Sequence, residues 1–362
     1  MNVKRKSKSR TKGMSYSELN KLGWSNLFFQ QLSYDEICDE NICNLVYRIS
    51  EIHRSRIVGR GLAGEQSIIC GSEYQPISQH LAVGDWVLAE LANEHYRITK
   101  IFTPKNRVRR ISNGLPQVIA ANLDYLWIVT SANEEFNVKR LERYISLAYE
   151  FDITPIVVLT KLDLCDDIEQ FTSQIKHLDV PNVHALSSNQ PSSLGVLQAY
   201  LYEGSSIALV GSSGVGKSTL INALFHTRQA TKEVRESDDH GKHTTTHRQL
   251  FFTDGDVAVI DTPGMRELQL YNAEQGIERT FSSIIELVTE CKYSDCTHSN
   301  EPGCAVQAAI AEGLISEAHF ANYLKLLKEE ESQQRRTVGA HAVKEHYRAY
   351  FKKIHSDNKE KW

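Results

Sequence analysis

Ser206-Ile207-Ala208-Leu209-Val210-Gly211-Ser212-Ser213-Gly214-Val215-Gly216-Lys217-Ser218-Thr219-Leu220 decides how the rest of the chain is read. Ile207 to Val210 form an apolar run of the kind a buried strand needs, and a glycine loop and a helix start follow it. Gly211, Gly216, Lys217 and Ser218 fill every fixed position of G-x-x-x-x-G-K-[ST], the phosphate-binding P-loop. Glycines let backbone N–H groups converge on phosphate oxygens, so Ser212, Ser213, Gly214, Val215 and Thr219 join the expected nucleotide contacts. Lys217 is placed to reach the β- and γ-phosphates, and the Ser218 hydroxyl to ligate Mg²⁺. The helix that follows turns its positive end toward the anion. A bare glycine turn is the competing reading, and the filled positions behind a strand disfavour it.

Composition sets the bounds. A chain of 362 residues has room for two or three domains, and 41% hydrophobic with 24% charged residues is ordinary for a soluble globular protein. No apolar run approaches the roughly 20 residues of a membrane span. The basic N-terminus has no apolar stretch behind it, so no secretory signal is expected and the expected location is cytoplasmic. Seven cysteines, three of them gathered around one histidine, point to metal ligation in a reducing compartment rather than a disulfide framework. A formal net charge of −4 assigns any nucleic-acid binding to local patches.

Residues 1–13 carry Lys4, Arg5, Lys6, Lys8, Arg10 and Lys12 without an acid. They read either as a solvated tail or as a disordered arm for RNA phosphates. Leu19, Leu22, Trp24, Leu27, Phe28 and Leu32 mark an amphipathic helical segment that packs on a partner the sequence does not identify. Between residues 45 and 102, five short β-rich runs are separated by turn residues such as Gly59, Gly61, Gly64 and Gly84-Asp85. About five strands in about sixty residues fit a small barrel, with the OB-fold as the leading type. Arg48, His53, Arg54, Arg56, Arg60 and Arg97, then Lys105, Arg107, Arg109 and Arg110, tilt that barrel toward a phosphate backbone, against a purely structural role.

From Asn122 the pattern turns α/β. Asp124–Thr130 is a buried-strand run, Val138–Phe151 has helical spacing, and Ile156–Leu159 is a second apolar strand. That strand runs into Thr160-Lys161-Leu162-Asp163, which resembles the guanine-selecting N-K-x-D of GTPases. An aspartate there accepts from guanine N1–H and the 2-amino group together, and adenine offers no such pair. Thr160 stands where that motif has asparagine. Ser187-Ser188 fits the companion loop whose backbone meets guanine O6, although an ordinary strand end reads the same way. Beyond the P-loop, Thr231–His243 is charged and turn-rich and leads into Thr244-Thr245-Thr246, candidates for the threonine of a first switch. Val257–Ile260 is another strand, and Asp261-Thr262-Pro263-Gly264 is D-x-x-G, with Asp261 toward Mg²⁺ and the Gly264 N–H toward the γ-phosphate. The base motifs precede the P-loop here, whereas a conventional GTPase places them after D-x-x-G. The chain is therefore circularly permuted, and its second switch leads directly into the C-terminal region.

That region contains Cys291, Cys296, His298 and Cys304 as Cys-x₄-Cys-x-His-x₅-Cys. Three thiolates and an imidazole make a closed tetrahedral set for one structural Zn²⁺. Cys38, Cys43, Cys70 and Cys165 show no grouping and are expected to be buried thiols. Phe320, Tyr323, Leu324 and Leu327 form a core stripe in Ser316–Arg336, and His341–Trp362 is basic and aromatic by turns. The latter suits RNA or ribosome contact about as well as a solvated helix.

Together these features resemble the circularly permuted GTPase family called RsgA or YjeQ, over roughly residues 45–340. The resemblance rests on the barrel with Gly84-Asp85-Trp86-Val87, the permuted motif order, Gly241-Lys242-His243-Thr244-Thr245-Thr246 and the Cys/His set. It implies an N-terminal OB-fold β-barrel, a central permuted α/β P-loop GTPase domain and a C-terminal α-helical zinc domain. The corresponding expected divisions are a basic extension (1–43), the barrel (44–110), the GTPase domain (111–275) and the zinc domain with its tail (276–362). It further implies a late maturation factor that binds the 30S subunit and its 16S rRNA, is stimulated by it, and leaves on GTP hydrolysis. Thr245 is the switch ligand the family pattern selects, completing an Mg²⁺ set with Ser218 and Asp261. Met265 stands where many GTPases carry a water-orienting glutamine, so slow intrinsic turnover is expected. His243 is then the candidate from this chain to orient water, alongside Lys217 and Thr245, against a histidine that merely packs or caps. A monomer is expected. The competing readings are an RNA-binding switch with incidental hydrolysis, a metallochaperone, and a permuted GTPase acting on the large subunit.

Overall fold

The computed structural model describes residues 16–53, 56–112, 115–176, 178, 180–225, 248–261, 272–293 and 295–338. Its first five strands are β1 (Val46–Ile52), β2 (Ile57–Gly61), β3 (Gly64–Ile69), β4 (Trp86–Ala92) and β5 (His95–Ile101). They pair in the order β1-β2-β3-β5-β4, and β4 returns to β1, so the barrel closes. Only the β3–β5 pair is parallel. Alternation along the strands explains why these runs read as apolar on both sides. Tyr47, Ile49, Val87 and Ala89 point into the barrel with Ile57, Ile68 and Ile98. Val46, Trp86 and Leu88 face outward and are covered by the N-terminal segment through Leu19, Leu22, Trp24, Phe28 and Leu32. The partner of that segment is thus the chain itself. Trp24 stands edge-on to Trp86 at 5.0 Å and to Phe102 at 5.1 Å, the geometry that aromatic quadrupoles favour.

A two-stranded ribbon, β6 (Arg107–Ser112) with β7 (Leu115–Ala121), leads from the barrel into an α/β layer. Its strands are β8 (Tyr125–Ser131), β9 (Thr154–Thr160), β10 (Val183–Ala185), β11 (Ser206–Val210), β12 (Arg248–Phe252) and β13 (Ala258–Asp261), in the order β10-β9-β8-β11-β13-β12. All neighbours are parallel except β12–β13. The chain therefore lays down one half of the sheet outward from β8, returns to the centre at β11, and then completes the other half. Helices on both faces make both sets of strand side chains apolar. Leu126, Ile128, Val157, Leu159, Ala208 and Val210 pack under helix Val138–Glu150 and the C-terminal helices. Trp127, Val129, Ile156, Val158 and Ile207 pack on the opposite side with Leu220 and Ile221.

The barrel and the α/β sheet are continuous, because β1 pairs antiparallel with β12 through Glu51↔Gln249 and Ile52↔Arg248. Arg48, expected to face a phosphate backbone, is instead buried at this junction. It donates to the Leu22 carbonyl at 2.7 Å and to Ser206 Oγ, at the start of β11, at 2.7 Å. Its outward direction on β1 is covered by the N-terminal segment, so burial pulls the guanidinium down to about 10, against the charges of Asp124 and Asp85. Arg107 likewise pairs at 2.9 Å with the buried Asp85, whose other oxygen accepts from the Ala82 N–H. Of the four thiols expected to be buried, only Cys43 is; Cys70 and Cys165 are half-buried, and Cys38 departs furthest. It is exposed, because the single-turn helix Tyr34–Cys38 buries none of its residues.

Replacing Arg48 by alanine leaves the Leu22 carbonyl and Ser206 hydroxyl without their donor in a dry interior. The expected cost is about 3 kcal/mol, read as a lowered denaturation midpoint. An unchanged midpoint would show that the arginine is not a structural tie.

Candidate functional site

The glycine loop emerges at the carboxyl end of β11, where strand order reverses between β8 and β13. This is the place where open α/β sheets bind ligands. Gly211 (φ +148°), Gly214 (φ +78°) and Gly216 (φ +96°) take backbone conformations that side chains resist. A Cβ at Gly211 would lie 2.2 Å from the Val129 carbonyl oxygen, so the loop leaves the sheet too tightly for any other residue. Lys217 opens helix Lys217–Phe225 and is buried, with Nζ donating to the carbonyls of Ser212 (2.6 Å) and Gly211 (3.2 Å). Ser213, Gly214 and Thr219 are exposed, and Ser218 is half-buried. The parallel register Ala208↔Ile260 carries the backbone of Asp261 to the same edge of the sheet. Arg140, on helix Val138–Glu150, reaches the loop from the side and donates to Ser212 Oγ.

The expected base loops converge on this edge. Thr160 ends β9 beside the P-loop, and its hydroxyl lies 2.6 Å from the Val215 carbonyl and 3.0 Å from the Thr130 carbonyl. The residue that departs from N-K-x-D therefore still ties its own loop to the P-loop. Lys161 follows in the left-handed region (φ +61°), which turns the chain sharply. Asp163 is exposed, with one oxygen accepting from Ser187 Oγ at 2.6 Å and the other from Asn189 Nδ2 at 2.9 Å. Those two donors hold its carboxyl below the usual range. Ser187 is buried, its N–H and carbonyl both engaged by Ser193 Oγ, while Ser188 is half-buried. His243, Thr245 and Gly264, with most of the segment around them, lie outside the described residues.

The four residues expected to ligate a metal meet in the C-terminal region. One ligand atom from each of Cys291, Cys296, His298 and Cys304 lies within 4.8 Å of the others. Burial and the adjoining thiols push the Cys296 thiol up to about 12. Three thiols and an imidazole gathered this closely fit one bound cation, and the donor set is one that takes zinc. His298 has φ +58°, and the loop around it is pinned by Glu301. Glu301 accepts from the N–H groups of Thr297 (2.8 Å), Ser299 (2.9 Å) and Asn300 (3.1 Å). The Thr297 hydroxyl, which also donates to Glu301, and these N–H groups hold its carboxyl down at about 2.

Two helices join the Cys/His cluster to the edge of the sheet that carries the P-loop. Helix Glu317–Val338 grips helix Val138–Glu150 through His319 Nδ1 to Glu142 Oε1 (2.5 Å), Asn322 to Glu142, and a two-pronged Arg143–Glu329 pair. Helix Glu274–Thr280, which follows the D-x-x-G segment, lies between them. Gly276 packs so closely that a Cβ would meet the Ser146 carbonyl oxygen at 2.0 Å, and its N–H donates to Glu150 at 3.0 Å. The buried Glu330 faces the N–H groups of Asn272 and Ala273, and Gln334 bridges Glu330 and Glu274.

The comparisons with known proteins agree with this arrangement. Residues 101–271 match the family described as RsgA GTPase. The chain is 39% identical over 317 residues to a protein of Vibrio parahaemolyticus named small ribosomal subunit biogenesis GTPase RsgA 2, covering 86% of each chain. It is 41% identical over 321 residues to the Mesorhizobium japonicum protein named small ribosomal subunit biogenesis GTPase RsgA, covering 87% of this chain and 90% of that one. The chain belongs to the RsgA GTPase family. As a member it is a GTP-hydrolysing enzyme. Its fold is similar to crystal structures of YjeQ from Thermotoga maritima (TM-score 0.60, 23% identity, 78% of this chain and 97% of that one) and of YloQ, titled a circularly permuted GTPase (TM-score 0.57, 22% identity, 80% and 95%).

Several polar residues of this RsgA-family chain gave no signal in sequence. Glu142, His319 and Glu330 look like surface residues of amphipathic helices but are buried. Asn189 and Arg140 sit in no motif. An asparagine two residues beyond Ser187 was the available hint at the base site.

Burial, with the carboxylates of Glu330, Glu274 and Asp152, pushes Glu150 up to about 7 from an ordinary value near 4.5. A raised carboxyl pKa means that the folded state loses stability as pH rises through this interval. Glu150→Gln keeps an acceptor for the Gly276 N–H and never ionises. It is expected to melt higher than the parent at pH 8, with the gap closing toward pH 4.5. Thermal unfolding across pH checks this, and a variant melting lower at pH 8 would contradict it.

Proposed function

We propose that the protein is a late maturation factor of the small ribosomal subunit, binding the 30S particle and its 16S rRNA and hydrolysing GTP with that particle's stimulation. The observation that carries this reading is near-full-length similarity to proteins named small ribosomal subunit biogenesis GTPases. The loop contacts support it, since Thr160 of T-K-L-D hydrogen-bonds the P-loop at Val215 and Ser187 hydrogen-bonds Asp163. The protein acts as a cytoplasmic monomer, and no helix among the described residues is long and apolar enough to cross a membrane.

In this reading Gly211–Thr219 cradle the phosphates with their N–H groups, and Thr160, Lys161, Asp163, Ser187 and Ser188 hold the guanine. Lys217 leaves the loop carbonyls to meet the β- and γ-phosphates. Ser218, Thr245 and Asp261 would hold Mg²⁺, which supplies charge neutralisation at the phosphates. Phosphoryl transfer to water needs positioning more than covalent chemistry. His243 orients the water, which Met265 cannot do, and the Gly264 N–H senses the γ-phosphate. Cys291, Cys296, His298 and Cys304 would hold one Zn²⁺, which fixes the fold of the C-terminal domain. The D-x-x-G segment passes its state to that domain through the 272–276 segment, held by Glu150 and Glu330.

GTP turnover measured alone, with purified 30S and with 50S subunits is the direct test. A large rise with 30S only is expected, and an equal rise with 50S, or none with either, would sink the proposal. His243→Ala should lower the stimulated rate by about two orders of magnitude while leaving nucleotide binding intact, and an unchanged rate removes the histidine from the mechanism. Metal analysis should find one zinc per chain. Chelation should lower helical content and the unfolding midpoint, and a metal-free protein of unaltered midpoint would refute a structural zinc.

A further inference from the structure

We infer that Asn189 is a specificity-determining residue, holding the oxygen of Asp163 that receives the exocyclic amine of guanine. The inference rests on the guanine-site reading above and deepens it. A carboxylate offers about four acceptor positions, two on each oxygen. In this structure the chain fills one on each side, Ser187 Oγ on Oδ1 at 2.6 Å and Asn189 Nδ2 on Oδ2 at 2.9 Å. The carboxylate also meets its own backbone N–H, and Asp163 is exposed, so each oxygen can still accept one of the two donors guanine presents.

The side each donor takes follows from the loop. Ser193 Oγ engages both the N–H and the carbonyl of Ser187, so the Ser188 N–H is the part of the loop expected to meet guanine O6, and O6 is adjacent to N1–H on the ring edge. The oxygen held by Ser187 therefore faces N1–H. The oxygen held by Asn189 faces the 2-amino group, one atom further along that edge. Asn189 is itself oriented, because its N–H donates to Ser187 Oγ at 3.3 Å. One short turn thus holds the carboxylate from both ends. This matters more here than where asparagine occupies position 160. The Thr160 hydroxyl is directed to the Val215 and Thr130 carbonyls and has no amide to offer the purine. More of the base selectivity then rests on how firmly Asp163 is set.

The prediction separates two nucleotides that differ by one group. Inosine diphosphate keeps N1–H and O6 and lacks the 2-amino group. Calorimetric titration of the full-length chain with GDP, inosine diphosphate and ADP tests it. Asn189→Ala should lower GDP affinity about three- to thirtyfold and leave inosine diphosphate affinity unchanged, so the ratio between them shrinks. Asn189→Asp has the same shape without the donor and repels Asp163, so it should lose more GDP affinity than the alanine variant. Equal losses for both nucleotides would show a merely structural loop residue, and no loss for either would show no role. Either result overturns the inference. Asp163→Ala, titrated in parallel, tests the parent reading on its own. GDP bound as tightly by that variant would place guanine elsewhere, whatever Asn189 does.

Discussion

Strand β11 is hydrogen-bonded on both sides, to β8 and to β13, and the candidate nucleotide site depends on that double pairing. A strand with two neighbours has no freedom to slide, so the glycine loop at its carboxyl end leaves the sheet at a fixed point. The loop's positive-φ glycines and the close approach of Gly211 to the Val129 carbonyl follow from that exit. Thr160 then ties the neighbouring loop to Val215, so the surface offered to phosphate and the surface offered to a base are held in one register. The tie is one hydrogen bond, but it sits in a buried place where leaving it unmade is costly.

Permutation changes what this sheet is attached to. Because the chain enters at β8, the barrel lies directly before the sheet and the helical region directly after D-x-x-G. The barrel is joined twice, by the β1–β12 pairing and by the buried Arg48 that reaches the first residue of β11. The helical region is joined through the 272–276 segment, where helix Glu274–Thr280 begins, and through the buried Glu142–His319 contact. Two appended regions therefore touch the sheet at the strand that carries the P-loop and just after the D-x-x-G segment. In the proposed function, that is how a phosphate at the centre is felt at both ends.

The fold was legible where local pattern determines it. Apolar runs at β8, β9, β11 and β13, the barrel's short strands and the P-loop all signal within a few residues of themselves. The Cys/His cluster was legible for the same reason, since its four ligands fall within fourteen residues. What was illegible depends on partners far along the chain. Arg48 carries the same letter whether it faces phosphate or a buried serine 158 residues away. Glu142 and His319, 177 residues apart, each look like a solvated position until two helices meet. Cys38 shows the converse, since a thiol in a one-turn helix has no face to bury. Asn189 is a loop asparagine, and only the position of Asp163 gives it a task.

In the proposed function, the nucleotide's third phosphate is sensed in the region of the Cys/His cluster through the 272–276 segment, where helix Glu274–Thr280 begins. Amide hydrogen exchange of the full-length protein, compared between GDP and a non-hydrolysable GTP analogue, tests it most directly. Altered protection in helix Glu274–Thr280 together with helix Glu317–Val338 is the predicted result. Altered protection that stops at Thr280, with the C-terminal helix identical in both states, would contradict it.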